Sequence, residues 1–493
     1  MSDTIPFASL VLLLAVAGLL AVLSNRLTER LKVPAPALFL AAGAIAVRVL
    51  PDLQAPPERT VERIVTVALV CILFDGGLHI GWSRFRPAAR PIVAVGVAGT
   101  FLTTAAVAVL AHFVVGFSWY IAVLLGTALA PTDPAVVFSV LGRREISGRS
   151  GTVLEGESGV NDPVGIALMV SLLAAGGLGL GAFGRVTGQF VLQMGVGALV
   201  GVVGGRLLLT FMRRVPLPSE ALHPLRTLAC AMALYGGATV AHGSGFLAVF
   251  VAGIVLGDAR APYKREVERF HSALASLGEM VAFLVLGLTV DLDVLARTDV
   301  WVPGLVLGGA LAVVIRPVLV GLCLLGVGLR RNERNFVLFA GLKGAVPILL
   351  GSLLLAAHVP QAERLYGIVV VVVAFSVVVQ GSLVPAVARL LRLPMRTIEP
   401  EPWALGVRLA EEPEGVQRLT VASGSTADGR TVAELAGLPG DVWLRSWISF
   451  VVRNRQLIAV RGDTTLRAGD EVLVLADPDL HAVLVRAFEQ PAG

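Results

Sequence analysis

Apolar runs about as long as a bilayer is thick alternate along this chain with short polar connections. Windows of roughly 20 residues read near 7–24, 33–49, 63–80, 91–115, 119–141, 150–177, 186–212, 224–242, 244–257, 271–290, 301–328, 335–356 and 365–388. The pattern predicts thirteen membrane-spanning helices, the ninth short and set off from the eighth at His242-Gly243-Ser244-Gly245. After about Leu393 long apolar runs give way to strand-like alternation. Strands are predicted near 417–422, 442–452, 457–460 and 471–476, with short helices near 431–436 and 478–488. The predicted fold class is an all-α polytopic membrane protein followed by a small cytoplasmic α+β domain. Its domains are a transmembrane unit at 1–393, a linker at 394–414 and the small domain at 415–493.

Composition narrows the class further. Of 493 residues 56% are hydrophobic and 15% charged, and the mean hydropathy is +0.81, values far from those of a soluble protein. The net charge of +5 is topological. Arg26, Arg30 and Lys32, then Arg84, Arg86 and Arg90, Arg143, Arg144 and Arg149, and Arg330, Arg331 and Arg334 fall in odd-numbered connections. Asp52, Glu58, Asp293 and Asp299 fall in even-numbered ones. Positively charged loops stay cytoplasmic, so the N-terminus is expected outside and the C-terminal domain inside, with no nucleic-acid partner. Residues 1–7 hold an acid and no basic segment, so the first window is read as a span rather than a cleaved leader. Cys71, Cys230 and Cys323 all lie in apolar windows without metal-ligand spacing. Gly197, Gly201, Gly204 and Gly205 give the seventh span a small-residue face suited to close packing within the protomer, with a dimer contact as the alternative.

Candidate chemistry lies in carboxylates inside these windows. Asp162, in Glu157-Ser158-Gly159-Val160-Asn161-Asp162-Pro163, interrupts a stretch that otherwise suits hydrocarbon. A charge there costs roughly 2.5–3.5 kcal/mol even on the mildest scale, so an intramembrane acid is by default a functional residue. Asp133, in Thr132-Asp133-Pro134, repeats the pattern one span earlier beside a helix break. Ser158 and Asp162 are four residues apart and share a helix face, which points a hydroxyl and a carboxylate into one cavity. Hard monovalent cations want such oxygens, supplemented by carbonyls of an unwound helix. Asn161 is neutral, so a cation and a proton compete chiefly for Asp162. The ion-binding set is Asp162, Asp133, Ser158, Thr132 and Asn161, with no metal beyond the transported monovalent cation.

Phe74-Asp75-Gly76-Gly77-Leu78, Thr132-Asp133-Pro134-Ala135, the Glu157 to Pro163 segment and Ala340-Gly341-Leu342-Lys343-Gly344-Ala345-Val346-Pro347 resemble the monovalent cation/proton antiporters of the NhaP type. The tail, with Asp428-Gly429-Arg430-Thr431 and Leu466-Arg467-Ala468-Gly469-Asp470-Glu471, resembles a TrkA-C (RCK-C) module, as in bacterial potassium/proton antiporters. The resemblance implies a homodimer in a bacterial inner membrane that exchanges potassium, with sodium as the alternative, for protons. It also implies a core ion pair between Glu157 and Arg316, Glu157 with Lys343 being the other pairing, and a helix-crossing charge at Lys343, where the family usually has arginine. Asp75 stands where the family often has glutamate and is a candidate for the ion pathway. Spans 1–6 and 8–13 form the expected inverted repeats, with crossed discontinuous helices 5 and 12.

The rival functions lack their motifs. A conductance-regulated cation channel is the alternative reading, but no Thr-Val-Gly-Tyr-Gly filter occurs. No P-loop for a pump and no Gly-x-Gly-Asp for an intramembrane protease occurs either, so no enzyme is expected. No resident cofactor is expected, and the tail lacks the Gly-x-Gly-x-x-Gly of a dinucleotide site. A regulatory nucleotide on the tail is implied by the resemblance alone.

Overall fold

The computed structural model describes residues 34–49, 56–141, 144–146, 149–325, 327–393, 395–397, 416–436, 445–453 and 456–490, together with 12, 15, 19 and 443. Most of the first predicted span and most of the predicted linker lie outside them. The chain divides into two compact units, residues 1–403 and 404–493.

The first unit is a bundle of apolar helices. In chain order these are α1 (Ala35–Val49), α2 (Glu58–Val115), α3 (Trp119–Leu129), α4 (Ala135–Leu141), α5 (Arg149–Ala175), α6 (Leu180–Arg214), α7 (Leu222–Val240) and α8 (Gly245–Gly257). They continue with α9 (Lys264–Leu288), α10 (Thr298–Cys323), α11 (Arg331–Phe339), α12 (Ala345–Ala356) and α13 (Ala362–Leu390). Six of the described helices, α2, α5, α6, α9, α10 and α13, are long and apolar enough to cross a membrane. At 58 residues and 1.5 Å per residue, α2 is far too long for one crossing. Its continuity is broken at Gly81, whose φ of 59° is open to glycine at little cost.

Close helix packing comes from glycines that meet backbone. A Cβ on Gly77 would lie 2.4 Å from the Phe250 carbonyl oxygen, and one on Gly253 2.5 Å from that of Phe74, so α2 and α8 nearly touch. Gly43 and Gly287 do the same for α1 and α9. On α6, Gly197 and Gly201 face Ser244 and Ala248 of the same chain. The predicted small-residue face is therefore used within the protomer, where dispersion gains replace an absent hydrophobic drive between helices. A short antiparallel pair joins Arg144–Ile146 (β1) to Met395–Thr397 (β2), a pairing between segments that the sequence reading assigned to a loop and a linker.

The second unit is a four-stranded antiparallel sheet in the order β3 (Val416–Thr420), β6 (Glu471–Ala476), β4 (Ser446–Arg453), β5 (Gln456–Ile458). Alternate residues Leu419, Val421, Val472 and Val474 turn inward onto Leu484 and Phe488 of the helix His481–Glu489. The helix Val432–Ala436 starts with a capping box in which Thr431 and Glu434 exchange backbone and side-chain hydrogen bonds of 2.8 and 3.2 Å. At the end of β4, Arg453 donates two bonds of 2.8 and 2.7 Å to buried Asp470, which also accepts the Arg467 N–H. Burial alone would raise the Asp470 pKa, but these donors hold it below the ordinary carboxylate value.

Candidate ion site

The site is assembled where two helices break. Residues 130–134 separate α3 from α4 and residues 340–344 separate α11 from α12. Pro131 and Pro134 forbid a continuous hydrogen-bond ladder in the first break, and the second is glycine-rich. The breaks face each other: the Asp133 N–H donates to the Leu342 carbonyl at 2.8 Å. Lys343 Nζ donates to the carbonyls of Ala130 at 3.0 Å and Pro131 at 3.1 Å. A cation thus sits on the exposed carbonyls at the C-terminal end of α3, where the helix dipole favours it. Asp133 occupies the opposite pole, its Oδ1 accepting the Ala135 N–H at 2.9 Å at the start of α4.

Helix α5 runs past this crossing and carries Glu157, Ser158, Asn161 and Asp162, all buried. Arg316 on α10 grips Glu157 with bonds of 2.7 and 2.9 Å and also donates to the carbonyls of Leu338 and Val337 at the end of α11. Of the two pairings left open by the sequence, the structure contains Glu157 with Arg316, while Lys343 serves the α3 carbonyls. From Glu157 the polar chain continues through Thr132 Oγ1, which donates to Glu157 Oε1 at 3.1 Å and accepts from Asn161 Nδ2 at 2.8 Å. Thr132 and Asn161 are thereby tied into the scaffold of the site, with their remaining oxygens still able to face an ion.

Asp162 differs from these neighbours. Its Oδ2 has one weak partner, the Ser158 hydroxyl at 3.5 Å. Its Oδ1 is buried with no hydrogen-bond partner, and so is Asn161 Oδ1 one residue away. Asp133 and Lys343 are close enough for their charges to act on Asp162. Buried acceptors left open beside a satisfied network are expensive. Such oxygens suit a dehydrated monovalent cation or a proton, and they suit nothing apolar.

Asp75 lies in a separate cluster on α2. Its Oδ1 accepts from Ser272 Oγ at 3.0 Å and lies 3.3 Å from His79 Nδ1. The structure does not bring it into the network around Asp162. The sequence reading did not single out Glu279 on α9. Its Oε1 is buried without a partner and it is an electrostatic neighbour of Asp133. The signal was available, since Glu279 is a lone acid within the 271–290 window.

Comparison with known proteins agrees with this architecture. The sodium/hydrogen exchanger transmembrane family matches residues 12–390, and the TrkA-C domain matches residues 416–488. The chain is 32% identical over 491 residues to the K(+)/H(+) antiporter NhaP of Alkalimonas amylolytica, covering 97% of this chain and 83% of that protein. It is 30% identical to the K(+)/H(+) antiporter NhaP2 of Shewanella oneidensis, over 95% and 81% of the two chains. It is 25% identical to the Na(+)/H(+) antiporter NhaH of Halobacillus dabanensis, over 78% and 98%. The sodium proton antiporter MjNhaP1 of Methanocaldococcus jannaschii has the same fold, with a TM-score of 0.66 at 22% identity over 79% of this chain and 99% of that one. A buried acid site at the meeting of two broken helices, in a chain matched over most of its length by exchangers, makes this protein a member of the sodium/hydrogen exchanger family, a membrane-embedded monovalent cation/proton antiporter of the NhaP type with a C-terminal TrkA-C domain.

Proposed function

We propose that the protein exchanges potassium for protons, one for one, by alternating access about Asp162. The observation that carries this reading is the pair of buried, unpartnered oxygens, Asp162 Oδ1 and Asn161 Oδ1, beside the crossing of the broken helices. A cation bound there takes Asp162 as its counter-ion, with Ser158, Asn161 and Thr132 as neutral ligands. A proton on Asp162 removes the charge and releases the cation, so one carboxylate serves both cargoes in turn. Glu157 is committed to Arg316 and Asn161 cannot ionise, which supports a single exchanged charge and therefore an electroneutral cycle. Asp133 positions the crossing, accepting the Ala135 N–H, and adds its negative charge beside Asp162 to hold the ion. Potassium is favoured because the relatives at 30% identity or more are K(+)/H(+) antiporters. Sodium is the second reading, supported by the Na(+)/H(+) antiporter at 25% identity. The antiporter relatives also displace the channel alternative.

The remaining assignments belong to the same proposal. The chain crosses a bacterial inner membrane thirteen times as two inverted repeats, with the N-terminus outside and the tail in the cytoplasm, and works as a homodimer. Residues 1–393 form the exchanger, 394–414 the linker and 415–493 a regulatory domain that responds to a nucleotide. Purified protein in liposomes, followed by a pH-sensitive dye, tests the transport reading. Potassium should drive proton movement at lower concentration than sodium, and an imposed membrane potential should leave net exchange unchanged. Net exchange that follows the potential would overturn the one-for-one stoichiometry.

A further inference from the structure

A second cavity lies outside the set of residues named for the ion site, where three segments of the membrane unit meet. It has a volume of about 340 Å³ and is bounded by α2 near Pro87 and Pro91, by the start of α5 and by the segment from Cys323 to Leu329 that leads from α10 toward α11. Its two charged lining residues are Arg90 and Arg149. Both are exposed, and neither is paired with a carboxylate among the described residues. Arg149 is also the first residue of the 27-residue helix α5, so free backbone N–H groups and the positive end of a helix dipole add to the two guanidinium groups. Arg330 and Arg331 follow immediately on the chain. The rest of the lining is apolar, and the side chains of Val93, Leu322 and Leu325 beside it are largely exposed.

We infer that this cavity is a binding site for the phosphoryl headgroup of an anionic phospholipid, held by Arg90 and Arg149 with one acyl chain along Val93, Leu322 and Leu325. The chemistry required is a monoanionic phosphodiester, which two guanidinium groups and a helix N-terminus recognise as a fork and a dipole. The volume falls in the range of ordinary small-molecule sites and is enough for a phosphoglycerol group. A lipid rather than a soluble phosphate is indicated because the site lies at helix ends, where membrane and water meet, and continues onto exposed apolar surface. Its residues come from α2, from α5 and from the end of α10 and the segment after it, and α5 and α10 also bear the core ion pair, so an occupant would brace these elements against one another.

The test uses the full-length protein in a neutral detergent, with native mass spectrometry to count bound lipid and a thermal-shift assay alongside. Phosphatidylglycerol should be retained and should raise the unfolding temperature, whereas phosphatidylcholine should do neither. The Arg90→Gln/Arg149→Gln variant should bind phosphatidylglycerol roughly 30-fold more weakly, at about fivefold for each cation lost near a membrane surface. Arg214→Gln, which removes an exposed cation elsewhere, should bind as the parent does. The third measurement needs no charge variant: in a Cys71→Ala/Cys230→Ala protein, phosphatidylglycerol should slow maleimide labelling of Cys323 within the cavity. Unchanged retention in the double variant, unchanged labelling of Cys323, or an equal thermal shift from inorganic phosphate at the same concentration would each overturn the lipid site.

Discussion

At the scale of single residues, the site separates carboxylates by what they already hold. Glu157 is satisfied by Arg316 on both oxygens and by Thr132, so it has no free valence for a cargo. Asp162 has an open buried oxygen and a hydroxyl only at 3.5 Å. Asp162→Asn keeps the shape of the side chain but removes both the counter-ion and the proton acceptor. Exchange should fall to the background of empty liposomes, while the variant still inserts and elutes with the parent; near parental exchange would assign the carrier elsewhere. Arg316→Met is expected to act on stability instead. Leaving Glu157 charged and alone in the core should cost about 3–5 kcal/mol, besides the carbonyls of Leu338 and Val337 left without a donor. The check is a thermal-unfolding series in which Glu157→Gln/Arg316→Met recovers much of what Arg316→Met loses. No recovery in the double variant would mean that the pair is not the source of the loss.

At the scale of elements, the breaks in the two discontinuous helices are held together by backbone, which makes them sensitive to volume. A Cβ on Gly344 would lie 2.0 Å from Asp133 Oδ2, and one on Gly341 1.8 Å from Arg316 Nε. Neither separation is possible between unbonded atoms, so either substitution must push apart what the crossing holds. Gly344→Ala is predicted to displace Asp133 and break its hydrogen bond to Leu342. Overpacking of a tight site costs typically 1–3 kcal/mol, so the protein should remain folded while exchange drops by an order of magnitude or more. Rates in liposomes normalised to correctly inserted protein provide the check. A parental rate would show that the crossing tolerates relaxation at this point.

At the scale of the whole molecule, the chain joins a membrane unit and a sheet domain with separate cores. Such modularity predicts that the exchanger works without its tail. Truncation after Arg396 should leave measurable exchange but shift its dependence on pH or potassium concentration, because a regulatory domain acts only through unequal affinity for the two states of the exchanger. Residues Met395–Thr397 pair with Arg144–Ile146, so the cut leaves only two residues of that strand. A truncation after Glu399 that preserves the pair should therefore retain more exchange than the shorter one. If both folded truncations lose all exchange, the tail belongs to the transport machinery. The architecture of this molecule was legible in its sequence to different depths. Apolar runs have to be buried in lipid, and a charge that interrupts one carries a penalty large enough to mark a function, so Asp133, Asp162 and the break beside Asp133 stood out from pattern alone, while the second break came from the family resemblance. Alternation with a period of two marked the tail's strands for the same reason, since one face of a sheet must be covered. Tertiary structure alone decided which charge meets which. Arg316 is 159 positions from Glu157, and nothing local to either distinguishes it from Lys343, which the crossing of two helix breaks places on the α3 carbonyls instead. It also decided that Asp75 stands apart and Glu279 stands near Asp133, because electrostatic partners in a bundle are chosen by helix packing, and packing here is set by distant glycines that let backbones approach.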